Sequence, residues 1–302
     1  MSNRREFIQQ IASISALGVI NPTELIASND PEHLCIMHTN DVHSHIEPFP
    51  ANHSKYPGMG GVAKRAHLIN KIRSEVEHTL LLDAGDMFQG TPYFNYYGGE
   101  IEFKLMNAMK YDAATIGNHD FDNGIDGLAR QAKNAKFKLL SANYNFENTS
   151  MRGLTKPYHI FNKGKFKIGV FGLGVELNGL VDPKMYGKTT YTDPIKEAKN
   201  QAQLLRKNKG CNLIICLSHL GLKYDDEKVS DVVIAKQCSE IDIIIGGHTH
   251  SFLKKPIEIV SKSGKYTYIN QVGWAGINLG RIDIKLNQGI GNYANIRSSL
   301  NI

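Results

Sequence analysis

The predicted fold is organised around the stretch Ala113-Ala114-Thr115-Ile116-Gly117-Asn118-His119-Asp120-Phe121-Asp122. A short apolar segment ends at a glycine, and an amide, an imidazole and two carboxylates follow directly. Such groups are costly to bury unless something of opposite charge or a hydrogen bond compensates them. We therefore predict that a pair of metal ions lies beside this turn.

The same pattern recurs at four other places, where polar residues follow an apolar segment. These apolar segments are residues 34–37, 80–82, 213–217 and 243–245. In layered α/β proteins, the carboxyl edge of a sheet is where binding sites form. The donors that these ends would bring to that edge contain oxygen and imidazole nitrogen but no thiolate, which suits Mn²⁺, Fe or Zn²⁺ in a catalytic role. The donor residues are Asp41, His43, Asp86, Asn118, His219, His248 and His250.

The spacing of Asp41 with His43, and of His248 with His250, predicts side chains on one side of extended backbone. Each pair would then reach a common point. Asp83 and Asp120 are expected to form turns or orient ligands rather than to bind metal. Ordinary core or surface positions are expected for the histidines away from strand ends: His33, His38, His45, His53, His67, His78 and His159.

Strands and helices alternate along the chain, which predicts a layered α/β domain. Apolar or alternating runs predict strands at 34–37, 79–82, 112–116, 138–142, 167–173, 212–217, 241–245, 266–270 and 280–286. Helices are predicted at 62–76, 100–109, 124–135, 194–210 and 226–237, the fourth capped by Asp193 and closed by Gly210. No helix pattern follows residue 265, so two packed sheets fit better than one.

Composition indicates an ordinary globular protein, with 302 residues, 41% of them apolar and 21% charged. The net charge of +6 is scattered rather than gathered into a basic block, so nucleic acid is not an expected partner. The four cysteines form no CxxC pair, and structural disulfides are not expected. No apolar run approaches the roughly 18 residues of a membrane-spanning helix.

The first residues resemble a twin-arginine export signal. Arg4 and Arg5 are followed by an acidic, an aromatic and an aliphatic residue, and then by a weakly apolar stretch at 11–20. We assign residues 1–30 to this signal and expect a periplasmic or otherwise exported protein, which would be anchored if the segment stayed uncleaved. Residues 31–302 are assigned to one folded domain.

Five blocks of the sequence resemble the signature of the calcineurin-like metallophosphoesterases. They are Asp41-x-His43, Gly85-Asp86, Gly117-Asn118-His119, His219 and Gly247-His248-x-His250. The amino-acid sequences of segments 38–43, 83–91 and 117–124 are similar to those of the periplasmic and cell-surface 5′-nucleotidases. The resemblance extends from about residue 34 to residue 286.

This resemblance implies a four-layer αββα sandwich of two mixed β-sheets, with a dinuclear metal site at the carboxyl ends of the strands. Residues 31–302 would be the catalytic domain, holding two divalent ions drawn from Mn, Zn, Fe or Mg. The implied ligands are Asp41, His43 and His250 for the first metal and Asn118, His219 and His248 for the second, with Asp86 bridging both.

The implied reaction is hydrolysis of phosphate monoesters, 5′-nucleotides above all. The two ions activate hydroxide for in-line attack on phosphorus. His119 would face the phosphate and stabilise or protonate the leaving oxygen, and Asp122 would orient its ring.

The chain departs from this family in one respect. Relatives of this kind carry a C-terminal domain that contacts the nucleoside, whereas this sequence stops at Ile302. Either the substrate range is broad, or a separate C-terminal nucleotidase-domain subunit supplies those contacts. Aromatic residues that could stand near the site, although loop packing is the stronger expectation for most, are Phe88, Tyr93, Phe94, Tyr96, Tyr97 and Trp274.

Two alternatives stay open. The same scaffold could hydrolyse a cyclic phosphodiester or a thiosulfate-type sulfur substrate. The chain could also be a non-catalytic subunit that binds metal or nucleotide. The second alternative predicts the loss of metal ligands, and the sequence retains all seven.

Overall fold

Two β-sheets packed face to face form the centre of the protein in a computed structural model, which describes residues 32–287, 290–292 and 300–301, with side chains described from 32 to 285. Within this part, residues from Glu32 onward group into one compact unit. The export signal assigned to residues 1–30 lies outside the described residues.

The first sheet is mixed. Numbered in chain order, its strands are β1 Glu32–Thr39, β2 His78–Asp83, β3 Ala113–Ala114, β4 Lys138–Leu139, β13 Asn278–Asn287, β14 Ile290–Asn292 and β15 Leu300–Asn301. The order across the sheet is β14-β13-β1-β2-β3-β4, and β15 pairs with β13. Strands β1 to β4 run parallel, whereas β13 is antiparallel to β1, with Ile36 opposite Ile282.

The second sheet is also mixed. Its strands are β6 Tyr158–Lys163, β7 Phe166–Gly174, β9 Leu213–His219, β10 Ile243–Gly246, β11 Ile257–Val260 and β12 Tyr266–Asn270, in the order β11-β12-β10-β9-β7-β6. The four central strands are parallel, and the strands at both edges are antiparallel to their neighbours. Strands β5 Tyr144–Asn145 and β8 Thr190–Tyr191 form a separate pair.

Helices cover the outer faces of both sheets. They are α1 Val62–Glu75, α2 Pro92–Tyr97, α3 Glu100–Ala108, α4 Gly124–Ala132, α5 Pro183–Tyr186, α6 Pro194–Gln203 and α7 Asp231–Gln237. A 3₁₀ turn covers His119–Phe121, and α6 continues into a π-helical turn at Leu204–Asn208.

Alternate residues of each central strand enter different apolar cores, because side chains point to opposite faces along a strand. Ile36 and Ile215 lie in the core between the two sheets. Met37 faces outward into a core shared with Ile69 of α1, and Ile244 faces outward into a third core that includes α6 and α7. Three cores between four layers confirm the predicted αββα sandwich.

All nine predicted strands are present, and the predicted helix signals hold. Asp193 caps α6 by accepting a hydrogen bond from the Ile195 N–H at 2.8 Å, and Gly210 has the expected positive φ of +67°. Strands β3 and β4 are shorter than predicted and cover two residues each. The edge strands β6 and β11 were missed, since their half-exposed side chains give weak periodicity.

The structure also bears on the cysteines and on the search for a membrane-spanning helix. All four cysteines are buried and free. None of the helices in the described part of the chain has the length and apolar character needed to cross a bilayer.

Candidate active site

The carboxylates and imidazoles predicted from the strand ends come together in two groups. In each group the ligand atoms lie within 4.8 Å of one another. The groups are Asp41, His43 and His250, and Asp86, His219 and His248. Asp86 Oδ2 lies 3.0 Å from Nε2 of His219 in its own group and 3.8 Å from Nε2 of His43 in the other. This carboxylate therefore lies between the two groups.

The backbone at these ligands is not extended, so the spacing argument is wrong in its geometry. The φ angles of Asp41, His43, Asp86, His248 and His250 are +50°, +48°, +57°, +72° and +50°. Each of these left-handed turns costs about 1–3 kcal/mol in a non-glycine residue, and such strain collects at functional sites. Asp41 and His43 nevertheless reach one common group, as predicted, whereas His248 and His250 reach different groups.

Hydrogen bonds between distant loops hold these turns. The Asp41 N–H donates to the Gly85 carbonyl at 2.9 Å, and the His43 N–H donates to the Asp86 carbonyl at 3.0 Å. The His248 N–H donates to both oxygens of the Asp41 carboxylate, at 2.9 and 3.0 Å. The last contact joins the ligand loops of the two sheets.

Position 117 requires glycine because the backbone there lies very close to Asp86. A Cβ at this position would lie 2.2 Å from Asp86 Oδ1 and 2.6 Å from the Asp86 backbone nitrogen. Both distances are too short for any side chain, so glycine lets the loop after β3 pack directly against the carboxylate between the two groups.

Asp83 and Asp120 hold loops and belong to neither metal group. The Asp120 carboxylate accepts backbone N–H hydrogen bonds from residues 86, 87, 88 and 117 at 2.8–3.2 Å. Asp83 accepts from the Gly85 N–H at 2.9 Å and from the Thr39 hydroxyl at 2.5 Å. These contacts agree with the turn-forming role expected from the sequence.

Two imidazoles direct Nε2 toward the centre of the site, because Nδ1 of each ring is held by a backbone carbonyl. His43 Nδ1 lies 3.1 Å from the Phe88 carbonyl oxygen, and His219 Nδ1 lies 2.7 Å from the Ala84 carbonyl oxygen. A carbonyl oxygen only accepts, so Nδ1 carries the proton in each neutral ring and the lone pair of Nε2 faces inward. Fixing of the outer nitrogen by a carbonyl is typical of metal-binding histidines.

The residues fit a pair of cations. The side-chain oxygen Oδ1 of Asn118 is buried with no hydrogen-bond partner, which is costly unless a cation or another donor satisfies it. Burial opposes ionisation of Asp86, but the imidazoles of His219 and His43 hold its pKa well below the usual range. Burial lowers the pKa of His219, yet Asp86 and Asp41 raise it to about 10. Positive charge is thus favoured at this point, and a cation bound there would take the place of the proton on Nε2 of His219.

His119 stands outside both groups and is held by Asp122. Its Nδ1 lies 2.8 Å from Asp122 Oδ2, and because a carboxylate accepts, Nδ1 donates and Nε2 is left free. The hydrogen bond to Asp122 raises the pKa of His119, although partial burial acts in the opposite direction. The His119 backbone N–H donates to Asp86 Oδ1 at 2.8 Å, which places the ring beside the two groups.

The aromatic candidates divide by position. Phe88 and Phe94 are buried and pack in the core next to the first sheet. Trp274 stacks on the ring of the ligand-group residue His250, with centroids 5.9 Å apart and an interplanar angle of 8°. Tyr96 and Tyr97 are exposed. Packing therefore accounts for Phe88, whereas Phe94 also lines the cavity beside His119. The tryptophan supports the orientation of one imidazole.

An open cavity of about 670 Å³ adjoins Asn118, His119 and Asp122. Part of its lining comes from the segment Leu180–Met185, which sequence analysis missed. No signal in that segment could have marked it, because it holds neither a motif nor a run of metal-binding residues.

Comparison with known proteins assigns the chain to a family. Residues 35–252 match the family model of the calcineurin-like phosphoesterases. The chain belongs to this family. The match confirms the resemblance and covers both metal groups together with His119 and Asp122.

Individual relatives of this phosphoesterase include 5′-nucleotidases and an NAD nucleotidase. The snake venom 5′-nucleotidase of Crotalus adamanteus is 38% identical over 248 residues, covering 79% of this chain and 41% of the relative. The 5′-nucleotidase precursor of Thermus thermophilus superposes with a TM-score of 0.80 at 31% identity, covering 89% of this chain and 54% of that structure.

The Haemophilus influenzae NAD nucleotidase superposes with a TM-score of 0.76 at 28% identity, covering 88% of this chain and 56% of that structure. This phosphoesterase therefore spans about half the length of the relatives it matches.

Proposed function

We propose that this phosphoesterase hydrolyses phosphate monoesters, 5′-nucleotides among them, at a centre of two divalent metal ions. The observation that carries the proposal is the position of Asp86 between the two His/Asp groups, with His119 beside them and outside both. The similarity to 5′-nucleotidases supports nucleotides as the substrate class.

The metal roles follow from the two groups. The residues proposed for one ion are Asp41, His43 and His250, and those for the other are Asn118, His219 and His248, with Asp86 shared. Bound there, two divalent ions would activate water as a nucleophile and neutralise the charge on phosphoryl oxygens. Because the donors are oxygen and nitrogen, Mn, Zn, Fe and Mg are all admissible.

His119 is proposed to act on the leaving group. Asp122 fixes its ring so that Nε2 points away from the Asp122 carboxylate and is free to meet a substrate oxygen. In this position the imidazolium stabilises the charge that develops as the bond from phosphorus to the leaving oxygen breaks, and its proton goes to that oxygen.

A direct assay tests the proposal. Purified protein supplied with Mn²⁺ is expected to release phosphate from AMP and from 4-nitrophenyl phosphate, and a chelator should abolish this activity until Mn²⁺ is restored. Faster turnover of bis(4-nitrophenyl) phosphate than of both monoesters would favour a phosphodiesterase. Two bound metals without turnover of any phosphate ester would instead favour a sulfur substrate or a non-catalytic subunit.

We further propose that residues 1–30 direct export through the twin-arginine route. The support is the adjacent Arg4 and Arg5 before a weakly apolar stretch. In a Gram-negative host with that pathway, replacing both arginines by lysine is expected to keep the protein in the cytoplasm, measured by cell fractionation. A Glu24→Gln control should be exported normally, and unchanged export of the double-lysine variant would contradict the proposal.

A further inference from the structure

Three segments line the cavity beside His119. One carries Asn118, His119 and Asp122, the second runs from Gln89 to Asn95, and the third carries Leu180, Asp182 and Met185. Its volume of about 670 Å³ lies within the range of small-molecule sites. A phosphate held against the metal groups and His119 would direct its leaving group into this space.

The Leu180–Met185 segment offers apolar surface to solvent. Leu180 is 45% exposed and Met185 is 37% exposed, although both are large apolar side chains. A single exposed apolar residue needs no explanation. Two of them on one short segment, both lining the cavity that contains His119, provide a surface for an apolar part of a ligand.

Apart from His119, the charged side chains that line the cavity are all acidic. None of the described residues that line it is lysine or arginine, whereas Asp122 and Asp182 are both acidic. Asp182 is held in place, because its Oδ1 accepts a hydrogen bond from the Lys184 backbone N–H at 2.9 Å. A leaving group that carries its own phosphate would lie beside carboxylates here. No lysine or arginine of the lining would balance its charge.

We propose that the segment Leu180–Met185 is the leaving-group wall of the active site and selects by charge. It favours monoesters whose leaving group is uncharged and partly apolar, such as nucleosides. It disfavours substrates whose leaving group bears a further phosphate, and Asp182 is the residue that sets this preference. The inference rests on the proposed function, since it assumes that phosphate binds between the metal groups and His119.

AMP and ADP form the test pair, because they share base and sugar. When the terminal phosphate of ADP is hydrolysed, water forms a new bond to phosphorus, the bond to the bridging oxygen breaks, and AMP leaves as an anion that takes up a proton. The leaving group of AMP is neutral adenosine. The wild-type protein is expected to show a kcat/KM at least about tenfold higher for AMP than for ADP.

Variants of Asp182 test whether its negative charge sets the preference for AMP over ADP. Asp182→Asn keeps the oxygen that accepts from Lys184, and it is expected to reduce the preference for AMP about threefold. Asp182→Lys should reduce it about tenfold, mainly by raising kcat/KM for ADP. Glu258→Lys makes the same charge change at an exposed position on edge strand β11, and the preference should stay as in the wild type.

Leu180 tests the apolar part of the wall. Leu180→Ala is expected to lower kcat/KM for AMP about fivefold through a higher KM, with little effect on glycerol 1-phosphate, whose leaving group is small and polar. Equal preferences in the wild type and both Asp182 variants, with AMP still hydrolysed, would overturn the inference alone. No turnover of AMP by the wild type would overturn the proposed function together with it.

Discussion

Replacing His119 by asparagine is expected to lower kcat by about 10²–10⁴-fold while both metal ions stay bound. His119 lies outside both metal groups, so its loss removes no metal donor. Asparagine keeps a polar side chain beside the metals but cannot hold a transferable proton at the place of Nε2. Steady-state kinetics with AMP, together with elemental analysis of the purified variant, give both quantities.

A matched control is available for this substitution. His67 lies exposed on helix α1, and His67→Asn is expected to leave kcat, KM and metal content unchanged. A His119→Asn protein that had lost metal would contradict the proposed role, because it would make His119 part of the metal site. A change confined to KM would also contradict it, since a group that acts on the leaving oxygen affects the chemical step.

Asp86→Ala is expected to abolish stable binding of the metal pair and, with it, phosphate release. Asp86 Oδ2 faces the imidazoles of both groups, at 3.0 Å from His219 and 3.8 Å from His43. Its other oxygen accepts the backbone N–H of His119 at 2.8 Å. One substitution therefore removes the shared donor and releases the loop that carries His119, and elemental analysis measures the first effect directly.

Asp86→Asn separates the two effects. The amide keeps the size of the side chain and an oxygen that can accept from the His119 N–H, but it lacks the negative charge that favours a divalent ion. Metal content should fall in this variant too, whereas Asp126→Ala, at an exposed position in the first turn of α4, should bind metal normally. Two ions bound by either Asp86 variant with unchanged affinity would refute the shared role.

The order of layers could be predicted because its signals are local. Strand β1 is buried on both faces, with Ile36 facing the other sheet and Met37 facing α1, and such a strand is visible in the sequence as the continuous apolar run at 34–37. The cap of α6 by Asp193 and its closure at Gly210 are also encoded by neighbouring residues. The edge strands were missed for the opposite reason, since a half-exposed strand shows little contrast between its two faces.

The backbone at the ligands could not be predicted in this way. The spacing of His248 and His250 suggested one shared point, yet the two rings serve different groups. Their positive φ angles depend on partners far away in the chain, such as the contact between the His248 N–H and Asp41, which are 207 residues apart. No rule of strand periodicity includes such a contact.

The sequence by itself determined which side chains gather at the carboxyl edge of the sheets, because each follows its own apolar segment directly. Only the tertiary structure decided how they are shared between two groups, with Asp86 between them, and that Leu180–Met185 lines the same cavity as His119. The reason is physical. Secondary structure follows from contacts between near neighbours, whereas the site is shaped by loops that meet only after both sheets have packed.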